Sequence, residues 1–191
     1  IARLTSQKGL DLVEEAVPQL VDLGLQLVVL GTGDTAHESR LARIRDQFPD
    51  HVGLRIGFDE GLAHRIEGGA DMFLMPSRYE PCGLSQLYSL RYGTVPIVTK
   101  TGGLVDTVAS LDSHYKNADS ATGFHIVVPT TDALVNAVRE AVRAYRRSSL
   151  WSDMVRRGMK TDVSWAGSAR SYEELFVSLV DAAGPGQTRN Q

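Results

Sequence analysis

The chain has 191 residues, 42% of them hydrophobic and 23% charged, with a formal net charge of −3 at pH 7. That length can bury a core of its own, and the charge excludes a broad electrostatic attraction to nucleic acid or to an anionic membrane. A single cysteine allows no internal disulfide, and no window approaches the ~20 apolar residues of a membrane-spanning helix. A small basic site for one phosphate-bearing ligand remains compatible with this balance.

The sequence opens at "IARLTSQKG", without a methionine or room for a full strand ahead of its first turn, and reads as a piece of a longer protein. Leu10, Val13, Val17 and Leu20 recur at helical spacing and predict a helix with one buried stripe. Pro18 should kink or interrupt it, and Gly24 should stop it. "LQLVVLG" is a continuous apolar run of the kind buried parallel strands produce. A loop and helix follow over "TGDTAHESRLARIRDQF", a strand over "HVGLRIG" and a short helix over "DEGLAHRIEGGA". "DMFLMP" is a strand closed by Pro76, Leu84 to Tyr92 is helical, "TVPIVTK" is a strand, and "GGLVDTVAS" opens a helix. "LDSHYKNADSAT" is a polar loop and "GFHIVV" the last strand. Two or three helices then run from about Asp132 to Val180.

This alternation predicts an α/β fold: about six parallel strands in one sheet, covered on both faces and joined by right-handed crossovers. Residues 1–163 form the sheet domain, 164–183 a closing helix, and 184–191, "GPGQTRNQ", a tail without fixed structure. In such sheets ligands bind where strand carboxyl ends meet helix N-termini, so the informative residues are those in the turns after strands.

After the first strand, "RLTSQKG" brackets a turn with Arg3 and Lys8, two cations that can neutralise a diphosphate beside a helix start. "GTGD" follows the next strand, where Gly31 and Gly33 allow close backbone approach, and "GFDE" sets Phe58 at the rim, where its face could stack on a base. In "SRYEPCGLSQLYSL", Pro76 and Pro81 stiffen the turn that carries Glu80. Gly83 turns the chain into a helix, with the amides of Cys82, Gly83 and Leu84 pointing outward. A fixed carboxylate beside free amides suits a polyhydroxylated ligand. "KTGGLVDTV" places Thr101, Gly102 and Gly103 at a second anion-receptive helix start, beside Lys100. Taken singly, each turn reads equally as ordinary structure: solvated cations, a plain glycine turn, a packed rim aromatic, a helix-end carboxylate. Together on one edge they fit a sugar nucleotide. There is no Walker sequence, no G-x-G-x-x-G, no G-x-S-x-G elbow, and the five histidines lack metal-ligand spacing.

Three stretches carry a family resemblance: "RLTSQKGLDL", the block "GFDEGLAHRIEGGADMFLMPSRYEPCGLSQLYSLRYGTVPIV", and "TGGLVDTV". They resemble the bacterial glycogen synthases and plant starch synthases, glycosyltransferase family 5, in order from Arg3 to about Leu179. The resemblance implies the C-terminal, Rossmann-like half of a GT-B architecture. It also implies transfer of glucose from ADP-glucose, with retention, to the non-reducing end of an α-1,4-glucan. Arg3 and Lys8 then stand at the family's cations on the departing diphosphate, and Glu80 at its carboxylate near the reaction centre. Cys82, Gly83, Leu84 and Ser85 match the sugar- and phosphate-contacting segment, Thr101 to Leu104 a GGL turn, and Phe58 an aromatic beside the base that is often tyrosine. Tyr88 stands where a neighbouring GT-B group carries a second glutamate. The reading calls for no metal and no cofactor besides the donor, no nucleic acid and no membrane. The acceptor would be held by an N-terminal domain absent from this sequence. A bacterial cytoplasm is the expected location, with a plastid as the alternative. The open alternative is the donor domain of another GT-B enzyme that uses a UDP-sugar. Trp165, Tyr172, Leu175 and Phe176 in the closing helix either pack on this domain or expose an apolar stripe.

Overall fold

The computed structural model describes residues 1–183, so the expectation for the tail lies outside the described residues. The chain divides into two compact units, Ile1–Thr161 and Asp162–Gln191.

In the first unit five strands alternate with helices. They are β1 (Leu27–Gly31), β2 (Val52–Ile56), β3 (Met72–Met75), β4 (Val95–Thr99) and β5 (Phe124–Ile126). The helices are α1 (Leu10–Asp22), α2 (Thr35–Gln47), α3 (Glu60–Gly69), α4 (Ser85–Tyr92), α5 (Gly103–Thr107), α6 (Thr131–Tyr145) and α7 (Ser148–Lys160), preceded by a 3-10 turn at Ser6–Lys8. All strand pairs are parallel, with Leu27 opposite Val52, Met72 opposite Val95 and Ile97 opposite Phe124. The expected α/β class holds, but the expected single sheet does not. Hydrogen bonding gives two ladders, β1–β2 and β3–β4–β5. The expected first strand reduces to one parallel bridge, Leu4 to Gly33. Three bonds tie it to the β1 end: Ala2 N–H to the Leu30 carbonyl (3.2 Å), Leu4 N–H to the Thr32 carbonyl (3.0 Å) and Asp34 N–H to the Leu4 carbonyl (2.8 Å).

Helices α1 and α6 supply most of the largest core cluster. In α6, Leu134, Val135, Val138, Ala141 and Val142 form the buried face, and Thr130 caps the helix by accepting from Ala133 N–H at 3.3 Å. Against them lie Ile97, Phe124 and Ile126 from the sheet and Trp151 and Met154 from α7. The rings of Phe124 and Trp151 stack at 6.5 Å. Each such side chain contributes about 1.5–3 kcal/mol by leaving water. All five β4 residues are buried, as a strand covered on both faces requires. Smaller clusters sit at the strand ends: Leu4, Leu10, Val29 and Leu41 in one, Phe73, Met75, Val98, Leu104 and Val108 in another.

Pro18 does not interrupt α1, which runs on to Asp22. Leu12, Val13, Ala16, Val17 and Leu20 bury a stripe on both sides of the proline. Packing of that stripe outweighs one missing hydrogen bond. Because Pro18 is exposed, its cost to the helix is nearly pure backbone. Pro18→Ala should therefore raise stability by about 1–2 kcal/mol, the helix gain of about 3 less the entropy returned to the unfolded chain. Thermal melting of the two proteins checks this.

In the second unit, α8 spans Trp165–Ala183. Trp165, Tyr172, Leu175 and Phe176 are all exposed on it, with the Tyr172 and Phe176 rings 6.2 Å apart. Among the described residues no helix is long and apolar enough to cross a membrane.

Candidate active site

The carboxyl-end turns of the first unit meet through short main-chain contacts. The turn Arg3–Gly9 is fixed first. Its Leu4 carbonyl accepts from Asp34 N–H at 2.8 Å. A side chain at Gly31 would sit 1.9 Å from the Ala2 carbonyl oxygen, and one at Gly33 2.4 Å from that of Leu4. Glu38 closes the same corner, accepting from Gly33 N–H (3.0 Å) and the Thr32 hydroxyl (2.8 Å). These bonds, Gly33 foremost, hold its carboxyl below the usual range. The open sides of Gly31 and Gly33 thus receive the Arg3 turn rather than empty space.

Across the rim, Lys8 Nζ lies 2.5 Å from Glu80 Oε2, and the two side chains are only 18% and 12% exposed. A charge-assisted contact shielded this far from water is worth more than a surface pair. The third turn closes on the second. Gly103 N–H donates to the Pro81 carbonyl at 3.0 Å, and a Cβ at Gly102 would stand 2.1 Å from the Glu80 carbonyl oxygen. Gln86, fully buried at the start of α4, donates to the carbonyls of Cys82 (3.0 Å) and Gly83 (3.2 Å) and to the Thr107 hydroxyl (3.2 Å). Among the described residues the amides of Cys82, Gly83 and Leu84 have no main-chain acceptor. Lys8, Glu80, Cys82–Leu84 and Gly102–Gly103 therefore share one edge, with a cation and a carboxylate held against each other.

A sequence model of glycosyl transferases group 1 matches residues 1–157. The chain belongs to that family. This group 1 glycosyl transferase chain is 52% identical over 179 residues to "Glycogen synthase" of Anaeromyxobacter dehalogenans (strain 2CP-C), covering 94% of this chain and 37% of that protein. It is 51% identical over 180 residues to "Glycogen synthase 1" of Rhizobium meliloti (strain 1021), covering 94% and 38%. Among solved structures it resembles the catalytic domain of starch synthase IV from Arabidopsis thaliana bound to ADP and acarbose. The TM-score is 0.83 at 35% identity, covering 94% of this chain and 37% of that one. Sucrose-phosphate synthase of Thermosynechococcus elongatus shares the fold, with a TM-score of 0.67 at 21% identity. The chain thus spans little more than a third of the length of the curated relatives it matches.

The remaining expected site residues of the transferase domain fall as follows. Arg3 is exposed at the head of the cation turn. Phe58 is 90% exposed two residues after β2, beside Asp59, which caps α3 by accepting from Leu62 N–H at 2.8 Å. Cys82 and Tyr88 are exposed and Ser85 half-buried on the α4 side, and Thr101 is half-buried. Leu104 is different: its side chain is fully buried among Phe73, Met75, Val98 and Val108, leaving only its main chain for a ligand.

Sequence reasoning missed the clamp on the cation turn. Arg78 forms a two-pronged pair with Asp11 (2.7 and 2.6 Å) and also donates to the Ser6 carbonyl at 2.7 Å. Its own N–H donates to the Gln7 carbonyl at 2.9 Å. The Arg78 hydrogen bond keeps the Asp11 carboxyl below the usual carboxylate range. The signal was an arginine within the Glu80 turn and an acid in the first turn of the helix after Lys8.

One strand further along, a cleft of about 530 Å³ is lined by Lys100, Asp112, Tyr115, His125 and Glu140 among others, and by none of Arg3, Lys8 and Glu80. In it His125 Nε2 is buried and, among the described residues, has no hydrogen-bond partner. Burial lowers the His125 pKa from its ordinary 6.5 and nearby Lys100 lowers it further, while a hydrogen bond to the Val108 main chain opposes them. A lowered value means that the folded state favours the neutral ring. Stability from this group is therefore full above pH 6.5 and lost as pH falls below it toward the folded value. The melting temperature should drop on acidification through this window, and His125→Gln should flatten that part of the profile.

Proposed function

We propose that this chain is the donor-binding domain of a glucosyltransferase that moves glucose from ADP-glucose to the non-reducing end of an α-1,4-glucan with retained configuration. The observation that carries the reading is the Lys8–Glu80 contact, closed from behind by the Gly102–Gly103 bend. It sets a cation for the leaving diphosphate directly beside a carboxylate for sugar hydroxyls. The similarity to glycogen synthases and to an ADP-bound starch synthase supports the choice of donor.

As the bond from sugar to diphosphate breaks, negative charge collects on ADP while the sugar becomes oxocarbenium-like. Arg3 and Lys8 stabilise that charge, and one such donor typically lowers a barrier by about 3–4 kcal/mol. Glu80, drawn back onto Lys8 before the donor arrives, accepts hydroxyl hydrogens once the diphosphate competes for the lysine. The free amides of Cys82–Leu84, with Ser85, Thr101 and the GG bend, donate to sugar or phosphate oxygens, and Phe58 offers its exposed face to the base. We infer that the two cations do here what a metal does for other diphosphates. The acceptor glucan and the opposing wall of the cleft belong to the rest of the protein. Glucosyl transfer to glycogen by residues 1–191 alone should accordingly be absent, since one wall cannot position an acceptor or exclude water.

Titration of the chain with ADP and with UDP, followed by amide NMR, tests the reading. Shifts around Arg3, Lys8 and Glu80 with ADP, at lower concentration than with UDP, are the expected result. Stronger binding of UDP would move the assignment to a UDP-sugar enzyme, and no response to either nucleotide would remove it.

A further inference from the structure

Behind the cation turn lies a buried acid–histidine pair that the chemistry above does not use. Glu14 on α1 and His37 on α2 are both buried, His37 to 2% exposure. His37 Nδ1 is 2.6 Å from Glu14 Oε1, and the other carboxylate oxygen accepts from Arg40 Nε at 2.5 Å. A nitrogen so close to a carboxylate carries a ring proton, and in the neutral ring Nε2 is then the acceptor. Arg40 Nη2, 2.9 Å from Nδ1, cannot donate to a nitrogen that bears its own hydrogen, so it acts here as charge balancing Glu14. On the far side of the ring, Ser6 Oγ lies 3.1 Å from Nε2. With the ring neutral, the hydroxyl donates to His37, His37 donates to Glu14, and Arg40 donates to Glu14.

Ser6 is the first residue of the 3-10 turn that ends at Lys8, and it is exposed. A serine on an open turn has no core to fill, yet this one is gripped at both ends: its hydroxyl by His37, its carbonyl by Arg78 at 2.7 Å. Past Lys8, Gly9 is pressed so close to the Pro76 carbonyl that a Cβ would sit 2.2 Å from it. The backbone entering and leaving Lys8 is thus fixed, and only its side chain is left to move between Glu80 and a ligand.

We infer that Ser6, His37 and Glu14 form a positioning relay, which anchors the cation turn to α1 and α2 so that Lys8 is held ready for the diphosphate of the donor. The inference rests on the donor-binding reading above. None of the three touches the ligand in this role. The relay acts by restricting the turn, so its removal costs affinity for the diphosphate and leaves affinity for a monophosphate nearly unchanged.

Calorimetric titration of the chain with ADP and AMP tests it. Ser6→Ala should weaken ADP binding about three- to tenfold, the equivalent of one hydrogen bond, while Ser6→Thr, which keeps the hydroxyl, restores it. His37→Asn keeps a donor for Glu14 but cannot reach Ser6, and should give the same loss. The double variant should be no weaker than either single one, because both cut one link. AMP affinity should not follow. Normal ADP binding by Ser6→Ala would overturn the relay and leave the donor-binding reading intact, as would additive losses in the double variant or a failure of threonine to rescue. Covalent labelling of Ser6 by a fluorophosphonate probe would overturn it in favour of a nucleophilic serine. Absence of ADP binding by the unaltered chain would remove both readings together.

Discussion

Lys8→Ala is expected to weaken ADP binding about a hundredfold. A charge-assisted hydrogen bond is worth about 1.5–3 kcal/mol, and every 1.4 kcal/mol is about tenfold. The upper end applies because Lys8 is largely shielded from water and its backbone is already held. The same change leaves Glu80, 12% exposed, without its counter-charge, which destabilises the fold as well. Glu80→Gln separates the effects. In the double variant Lys8→Ala/Glu80→Gln the melting temperature should return most of the way, since no unpaired carboxylate remains, while ADP affinity stays low. Affinity that recovers along with stability would mean that Lys8 serves only as a partner for Glu80. Glu80→Gln alone should bind ADP at least as tightly as the unaltered chain, because the lysine is released for the diphosphate.

The second large effect belongs to Gly102. Its backbone has φ +47° and ψ −141°, a combination that residues with a Cβ rarely adopt. An alanine there would set its methyl 2.1 Å from the Glu80 carbonyl oxygen. Backbone on both sides of that contact must move. Gly102→Ala should cost about 3 kcal/mol or more, which in a domain of this size is about a 6–12 °C loss in melting temperature. Gly24→Ala is the internal control. It also has positive φ, +80°, but nothing lies within 4 Å of the added methyl, so it should cost only about 1 kcal/mol. The difference isolates the close approach from the dihedral strain. Because the clash falls on the backbone of Glu80, Gly102→Ala should also lower ADP affinity where Gly24→Ala does not. Equal losses in stability from the two variants would mean that the GG bend yields without disturbing Glu80.

Most elements were legible because local periodicity decided them. The apolar runs that became β1 to β5 and the stripe of α1 are one-dimensional patterns, and the solvent boundary they imply needs no partner to be named. That Pro18 leaves α1 unbroken was hidden for the complementary reason: whether a proline stops a helix depends on how much the stripe around it buries, and that is set by α6 and the sheet. The split into two ladders was likewise hidden, since hydrogen bonding between distant segments leaves no mark on the spacing of either. Leu104 shows the limit at the site. Its place in a GGL turn pointed to a ligand, but only the packing of Phe73, Met75, Val98 and Val108 reveals that its side chain faces inward.

Arg3, Lys8, Glu80, Gly102 and Gly103 were identifiable as candidates from turn chemistry and resemblance, because a motif reports which groups follow a strand. What holds them was not. The Arg78–Asp11 clamp and the Ser6–His37–Glu14 chain join residues far apart in sequence, and each member is an ordinary polar residue in its own helix or loop. Sequence by itself determined the order of strands and helices and the kinds of side chain at their ends, since these follow from short-range sterics and burial. Only the tertiary structure decided which cation meets which carboxylate and which glycine lies against which carbonyl. Charge pairing and close backbone contact act over a few ångströms of space, and the chain sets those distances only when it closes on itself.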